Sequence, residues 1–497
     1  MPPLIAPPLI ALDGTPHPGA PFGALLTAQA EAAPTRPALT AEGRTLTRAE
    51  LEAAANRRAH WLASMGVGQG DTVMIALPNS IAWYETALAA WKLGATPAHV
   101  SHRLAPAEIQ AIIDLCKPRL IVSDLPGPHT TPPVPLGPET DAAPHPPRIA
   151  PRWKISTSGG STGRPKLILD PNPSLWGPDK VGRRRPPGAT IINPAPLHHS
   201  GPFGLMFPAL LEGAHIIDMG RFDAEDYLRL VATHRATWAY LVPTMMARIA
   251  QLPPETRAAY DLSSLLTVVH MAAPCAPWIK RAWIEWLGPE AIWEVYGGTE
   301  RLGVTIIGGH EWLAHPGSVG RSPDGLQIAI IDEHGTHLSS GEIGEIHFRR
   351  PATPSFEYLG ADPSIHGDFA SFGDYGWLDA DGYLFIADRR TDMVVSGGVN
   401  FYPAEIEMAL ESCPGVLGSA VFGLPHHDLG QSLHATIQHA PDTEPPGPAH
   451  LLAWLDGRLA RPKWPRSFDF VITPIRDDAG KLRRTAWRDR RIAASQT

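Results

Sequence analysis

Cysteine is scarce in this chain. Cys116, Cys275 and Cys413 are the three cysteines in 497 residues, far apart and without the Cys/His spacing of a zinc site or a disulfide framework. A disulfide-stapled secreted module is thereby excluded, and a reducing cytoplasm is the expected setting. Basic excess is lacking too: the formal net charge is -8 with Lys and Arg dispersed, so no surface is expected to grip a nucleic-acid backbone. No run of 18 or more apolar residues occurs, so no membrane span is expected. The opening MPPLIAPPLIALDG is broken by prolines and has no Lys or Arg before Arg36, unlike the charged start of a signal peptide. No internal repeat is found.

What is present is enough apolar residue, 43% of the chain, for a large core, and length scaling gives about two to four domains. Thr47 and Glu50 have the spacing of a capping box, Leu51, Ala55, Ala59 and Leu62 recur at helical intervals, and Gly66 can end that helix. DTVMIAL, ATPAHV and RLIVSD then read as strands, alternating with helices at SIAWYETALAAWKLG and APAEIQAIIDLCK, which predicts parallel βαβ units. Ten prolines between Pro126 and Pro151 mark a surface connection. A second alternating region runs to about Asp332, followed by short strands in LQIAIIDEHGTHL and GEIGEIHFRR. Beyond DRRTD, residues 388 to 392, a helix (PAEIEMALESC) and a strand (SAVFGL) suit a compact unit of ordinary domain size.

Four short stretches carry chemistry. ISTSGGSTGRPK, Ile155 to Lys166, offers glycine-bared amides, the hydroxyls of Ser158, Ser161 and Thr162, and the cation of Lys166, a nest for phosphate oxygens. It is not a Walker A loop, and the proline before its lysine argues against entry into a helix. YGGTE, Tyr296 to Glu300, combines an aromatic face, a hydroxyl and a carboxylate; FGDYGWLDADGYLFIADRRTD supplies Asp374 and Arg389; DDAGKLRR presents Lys481 on a glycine turn. Singly each has a bland reading, as a polar turn or a solvated loop charge.

In this order the four resemble the adenylate-forming superfamily of acyl-CoA synthetases, firefly luciferase-like enzymes and adenylation domains, from about Leu46 to Arg484. The resemblance implies a large N-terminal α/β domain, residues 1–389, with parallel sheets and a β-rich subregion, and a small mobile α+β domain, 390–497. It places Ser158, Gly160, Ser161, Thr162, Gly163 and Lys166 on the β- and γ-phosphates of ATP, with Gly159 where a hydroxyl residue is common. Ala272, Ala273 and Pro274 of MAAPC fall on the adenine side, Tyr296 stacks on the base, and Gly297 and Gly298 complete that turn. Thr299 would meet the α-phosphate, Glu300 would hold Mg²⁺, and Asp374 and Arg389 would bind the ribose hydroxyls. In PAPLHHSG the histidine beside the acyl carboxylate is expected at His199 rather than His198, with a packing or capping histidine as the alternative. Lys481 would bridge the carboxylate and the α-phosphate, and Gly397 and Gly398 of SGGVN would line the path of the coenzyme A thiol arm. Two departures stand out: Phe372 occupies the family's threonine position before Asp374, and Thr391 the usual hinge Asp or Lys.

The implied activity is acid–thiol ligation through an acyl-adenylate. Motif details look closest to the branch acting on steroid, bile-acid and terpenoid carboxylates, and the apolar SGPFGLMFPALLEGA and YLVPTMMARIA, with Gly, Ala and Met, suit a wide pocket. Medium- or long-chain fatty acids and aryl acids remain open, as do a carrier-protein acceptor, a homodimer and a non-catalytic nucleotide binder. Arg183, Arg184 and Arg185 could meet an acidic carrier or coenzyme A phosphates, or form a solvated loop.

Overall fold

The computed structural model describes residues 18–124, 130–159, 165–177, 185–323, 325–350, 355–389, 392–396, 399–477 and 480–494, with the side chains of 158, 159 and 165 left aside. The capping box forms as expected: Thr47 Oγ1 accepts from Glu50 N, the Glu50 carboxylate accepts from Thr47 N, and the helix Arg48–Ser64 follows. Strands Thr72–Ala76, Thr96–His99 and Leu120–Ser123 run parallel around the helices Ile81–Lys92 and Pro106–Cys116.

Among the described residues two large sheets dominate. One has seven strands, ordered Glu357–Leu359, Pro165–Leu169, Ile155–Gly159, Thr96–His99, Thr72–Ala76, Leu120–Ser123 and Thr130–Thr131. The other has eight, with Ile292–Gly297, Thr267–His270, Trp238–Leu241, Thr190–Asn193 and His215–Asp218 parallel in that order at its centre. Helices rich in aromatics fasten them: Trp83 and Trp91 of Ile81–Lys92 pack edge or tilted on Phe203 and Phe207 of Ser200–Leu211 at 5.2–5.9 Å between ring centres. Such buried rings contribute beyond their area when offset or edge-on, and they fix the start of Ser200–Leu211, which directly follows His199, the expected acyl-site histidine.

The expected β-rich subregion is an antiparallel sheet containing Ile328–Ile331, Gly344–Arg349, Phe369–Leu378 and Leu384–Arg389. Past it, Val394, Phe401, Ile406, Leu410, Val421 and Leu451 belong to a core cluster of their own. The helix Pro403–Glu411 and the antiparallel strands Gly418–His426 and Gly430–Gln438 build it. Among the described residues no helix is long and apolar enough to cross a membrane. The three cysteines are free. Arg185 belongs neither to a solvated loop nor to a basic docking face: it is buried in an ion pair with Glu212, at 2.5 Å. Arg183 and Arg184 lie outside the described residues.

Candidate active site

The hydroxyl-rich stretch is the tip of a hairpin. Ile155–Gly159 and Pro165–Leu169 pair antiparallel, Ser158 opposite Lys166, so the loop returns into a strand rather than a helix, as its proline foretold. Gly160, Ser161, Thr162 and Gly163 lie outside the described residues, as do Thr391, Gly397 and Gly398; of Ser158 only the backbone is described. A short strand, Glu357–Leu359, adds to the hairpin with Tyr358 opposite Ile168. This brings three side chains together. The Lys166 ammonium lies 4.0 Å from the Tyr358 ring centre and 3.6 Å from Glu300 Oε1. The Tyr358 hydroxyl donates to the same oxygen at 2.5 Å. Burial lowers the Lys166 pKa, and the Glu300 charge opposes that shift.

On the adjoining sheet, the strand Thr267–His270 ends in the Met271–Cys275 turn that carries Ala272, Ala273 and Pro274, beside the parallel strand ending in Tyr296 and Gly297. Ala272 and Arg301 both hold left-handed backbone, with φ of 77° and 55°. Such positions cost a non-glycine residue about 1 to 2 kcal/mol, and here they flank the YGGTE turn. The Tyr296 hydroxyl donates to Asp374 Oδ2 at 2.8 Å, and Arg389 Nε donates to Asp374 Oδ1 at 3.2 Å. Tyr296, Asp374 and Arg389 thus meet at one carboxylate. Phe372, two residues before Asp374 on the strand Phe369–Leu378, packs on Phe348 at 5.4 Å and on Tyr296 at 6.3 Å. A Cβ on Gly298 would stand 2.5 Å from that ring. The missing threonine hydroxyl is therefore replaced by a wedge beneath the turn, and the second glycine of YGGTE makes room for it. Thr299 is half-buried next to it.

The third side is the histidine loop. His199 is the residue before the helix Ser200–Leu211, and its ring centre is 4.3 Å from that of His198. Beneath them His99 is fully buried; its Nδ1 lies 2.8 Å from the His198 carbonyl oxygen and its Nε2 2.8 Å from Ser156 Oγ. A carbonyl only accepts, so Nδ1 carries the proton and Nε2 accepts from the serine. Burial first, then the Lys154 charge, lowers the His99 pKa to about 3. Burial and His199 lower that of His198 to about 2; burial and Lys481 lower that of His199 to about 3. All three are neutral imidazoles at neutral pH.

Lys481 is delivered by a tight turn. Asp477 N donates to Lys481 O at 3.0 Å, Gly480 N to Asp477 O at 2.8 Å, and Lys481 N to Asp477 Oδ1 at 2.9 Å. Water reaches the lysine, yet protein atoms crowd it: desolvation and then the charge of Arg389 lower its pKa, while Asp477 and Glu300 oppose. Gly480 rests on Val242 and Thr244, where the strand Trp238–Leu241 passes into the helix Pro243–Ala250. Behind the turn Arg484 binds Asp388, Asp392 and Glu407 at 3.1, 2.6 and 2.6 Å.

Two buried carboxylates border this cleft: Asp374, already held by Tyr296 and Arg389, and Glu300, which stands beside Lys166. Magnesium is commonly held by one or two carboxylates plus substrate phosphates, so one hard oxygen donor beside a phosphate-type loop fits it. Among the described residues the His/Asp groups close enough to share an ion are His426, His427 and Asp428, and His315, Asp379 and Asp381, neither including Glu300.

A hydroxyl-rich hairpin, a carboxylate beside it, an aromatic–carboxylate–arginine group and a lysine brought in by the C-terminal segment define a class of protein, the adenylate-forming enzymes. The model of the family described as AMP-binding enzyme matches residues 26–355, and this chain belongs to that family. Within it the chain is an acid–thiol ligase. It is 30% identical to a fatty acid–[acyl-carrier-protein] ligase, ScoC, of Streptomyces coeruleorubidus, over 92% of this chain and 94% of that one. It is 31% identical to a feruloyl-CoA synthase of an Amycolatopsis species, over 88% and 93%. It is 26% identical to a 3-oxocholest-4-en-26-oate–CoA ligase of Rhodococcus rhodochrous, over 90% and 92%. Among solved structures, ATP-bound MatB from Rhodopseudomonas palustris is similar with a TM-score of 0.78 and 26% identity, covering 95% of this chain and 99% of that one.

Tyr358, His99 and Asn79 were not found from the sequence. Asn79 donates to the Ala195 carbonyl at 3.0 Å and accepts from Leu197 N at 2.8 Å, holding the histidine loop from the side. A histidine in the mostly apolar ATPAHV, and an asparagine shortly after a buried strand, following Leu77 and Pro78, were the available signals.

Proposed function

We propose that this protein is an ATP-dependent acyl-CoA ligase that activates a hydrophobic, bulky polycyclic carboxylic acid of steroid or terpenoid type as an acyl-adenylate and transfers it to coenzyme A. The observation that carries the chemistry is the seating of the Lys481 turn on the large unit, Gly480 against Val242 and Thr244, from where the lysine's charge lowers the pKa of His199. A carboxylate and a triphosphate repel each other, so in-line attack on the α-phosphorus with loss of pyrophosphate depends on positioning and charge neutralisation. Lys481 would neutralise the two meeting anions, Lys166 and the hairpin amides would hold the β- and γ-phosphates, and Thr299 would contact the α-phosphate. Tyr296 would face the adenine against Ala272–Pro274, and Asp374 with Arg389 would take the ribose hydroxyls. Magnesium, when held by Glu300, supplies charge neutralisation for the leaving pyrophosphate.

We assign residues 1–389 to the adenylating domain and 390–497 to the mobile domain that carries Lys481. The separate core beyond Val394 supports that division. Rotation about the 388–392 segment would withdraw the lysine and open a path, past Gly397 and Gly398, for the thiol arm, while the closed cleft shields the acyl-adenylate from water. For the acid, support comes from the helix after His199: a Cβ on the half-buried Gly204 would meet open space, and Gly201 borders Tyr240 and Met271. The steroid-acid ligase of R. rhodochrous points the same way; the carrier-protein and feruloyl relatives set the competing acids and acceptor.

Exchange of labelled pyrophosphate into ATP, dependent on added acid, tests the first half-reaction. Lys481→Ala is expected to abolish exchange while leaving thioester formation from supplied acyl-adenylate largely intact; equal loss of both would overturn the assigned role. A panel of steroid, diterpenoid, fatty and aryl acids, with coenzyme A and with a phosphopantetheinyl carrier protein, scored by thioester mass, decides substrate and acceptor.

A further inference from the structure

The short strand Glu357–Leu359 serves more than sheet closure. Its central residue points one functional group at each of two site residues: the ring of Tyr358 lies under the Lys166 ammonium at 4.0 Å, and its hydroxyl donates to Glu300 Oε1 at 2.5 Å. The other oxygen of that carboxylate, Oε2, lies 2.8 Å from where a Cβ on Gly298 would stand, so it faces bare backbone of the YGGTE turn. The two oxygens are therefore in different surroundings, one tied to the Tyr358 hydroxyl and the other beside the bare Gly298 backbone, where the Phe372 ring also lies.

We infer that Tyr358 is a positioning residue of the metal-and-phosphate site, its hydroxyl fixing one oxygen of Glu300 so that the other is presented to magnesium, and its ring setting the spacing of Lys166. The inference rests on the reading of Glu300 as the magnesium ligand. A carboxylate that rotates freely loses that freedom on binding a cation; one held by a hydrogen bond has lost it already, and such outer partners typically change metal affinity about 10- to 100-fold. The Lys166 ammonium is held over the phenol face as well as by the Glu300 oxygen 3.6 Å away, which keeps it at the place where phosphate oxygens would arrive.

Calorimetric titration of the full chain with ATP, in magnesium and in EDTA, reads the factor by which the metal tightens nucleotide binding. Tyr358→Phe removes the hydroxyl and keeps the ring: it is expected to cut that factor about tenfold with metal-free ATP affinity unchanged. Tyr358→Leu removes both and is expected to weaken metal-free binding as well. Glu300→Gln separates the two readings. If it leaves the factor intact, Glu300 is not the metal ligand and the parent reading falls. If it abolishes the factor while Tyr358→Phe retains the wild-type value, the role given to Tyr358 alone is overturned.

Discussion

Gly480 and Thr244 are in direct contact: a Cβ added to the glycine would stand 2.9 Å from the threonine hydroxyl oxygen and 3.3 Å from Val242 Cγ2, and the glycine holds φ of 75°. The turn that ends in Lys481 is thus seated against the strand-to-helix junction of the large unit, and only a residue without a side chain seats it there. Gly480→Ala meets both the left-handed backbone penalty of about 1 kcal/mol and the collision. Pyrophosphate exchange is expected to fall about tenfold, since 1.4 kcal/mol of lost docking is one decade. Thioester formation from supplied acyl-adenylate is expected to change little. Equal decline of the two half-reactions would show that the contact does not serve the lysine.

Phe372 and Gly298 form a matched pair, so their substitutions should not add. Gly298→Ala drives a methyl into the Phe372 ring and is expected to cost about 1 to 3 kcal/mol. In the presence of Phe372→Thr, which restores the family's hydroxyl and frees the space, that cost should shrink by more than about 1 kcal/mol. Urea unfolding of the four members of the cycle measures it. Additivity would mean that the glycine serves some other need.

The βαβ units were legible because their signals are local: the capping box at Thr47 and Glu50 and the apolar spacing after it need no distant partner. That the phosphate loop does not enter a helix was legible for the same reason, from the proline before Lys166, but its hairpin pairing was not. Tyr358 was not, because its strand is three residues long and owes its existence to pairing with Pro165–Leu169, far away in sequence. His99 was hidden likewise: its partners, Ser156 and the His198 carbonyl, come together only when the strand and the histidine loop are placed. Phe372 was legible as a departure, but its compensation by Gly298 required the packing. The choice of His199 over His198 did not separate the pair, since both rings are half-buried side by side, 4.3 Å apart, and both pKa values are lowered by the same desolvation.

Arg484 holds three carboxylates, Asp388, Asp392 and Glu407, from one guanidinium, and burial raises Asp388 to about 6 despite it. Arg484→Ala would leave buried negative charge uncompensated, a loss of about 3 to 5 kcal/mol by analogy with broken buried pairs. The sign of the pH effect follows from the raised acid: a carboxyl whose folded pKa lies above its unfolded 3.8 favours folding most when protonated, and that contribution is lost as pH rises through the folded pKa. Removing the arginine moves the folded pKa of Asp388 higher still. The stability gap between wild type and Arg484→Ala is therefore expected to narrow from pH 8 to pH 5, read by urea unfolding at both. A gap that widens on acidification would remove Asp388 from the account.

His99, His198 and His199 titrate in the opposite sense. Their folded pKa values of about 3, 2 and 3 lie below the ordinary 6.5, so unfolded chain binds more protons than folded chain once the pH falls below about 6.5. Each then removes up to about 1.4 kcal/mol of stability per pH unit until its folded pKa is reached. His99→Gln deletes one such site while keeping a polar group between Ser156 and the His198 carbonyl. Its unfolding free energy, followed from pH 7 to pH 4, is expected to start lower than wild type and to fall with a shallower slope by about one proton's worth. The catalytic readout differs from the structural one. With the three rings neutral throughout, the exchange rate at saturating substrate should show no histidine inflection between pH 6 and 8, and an inflection there that His99→Gln or a substitution at His199 abolishes would mean that one of these rings is charged in the working enzyme.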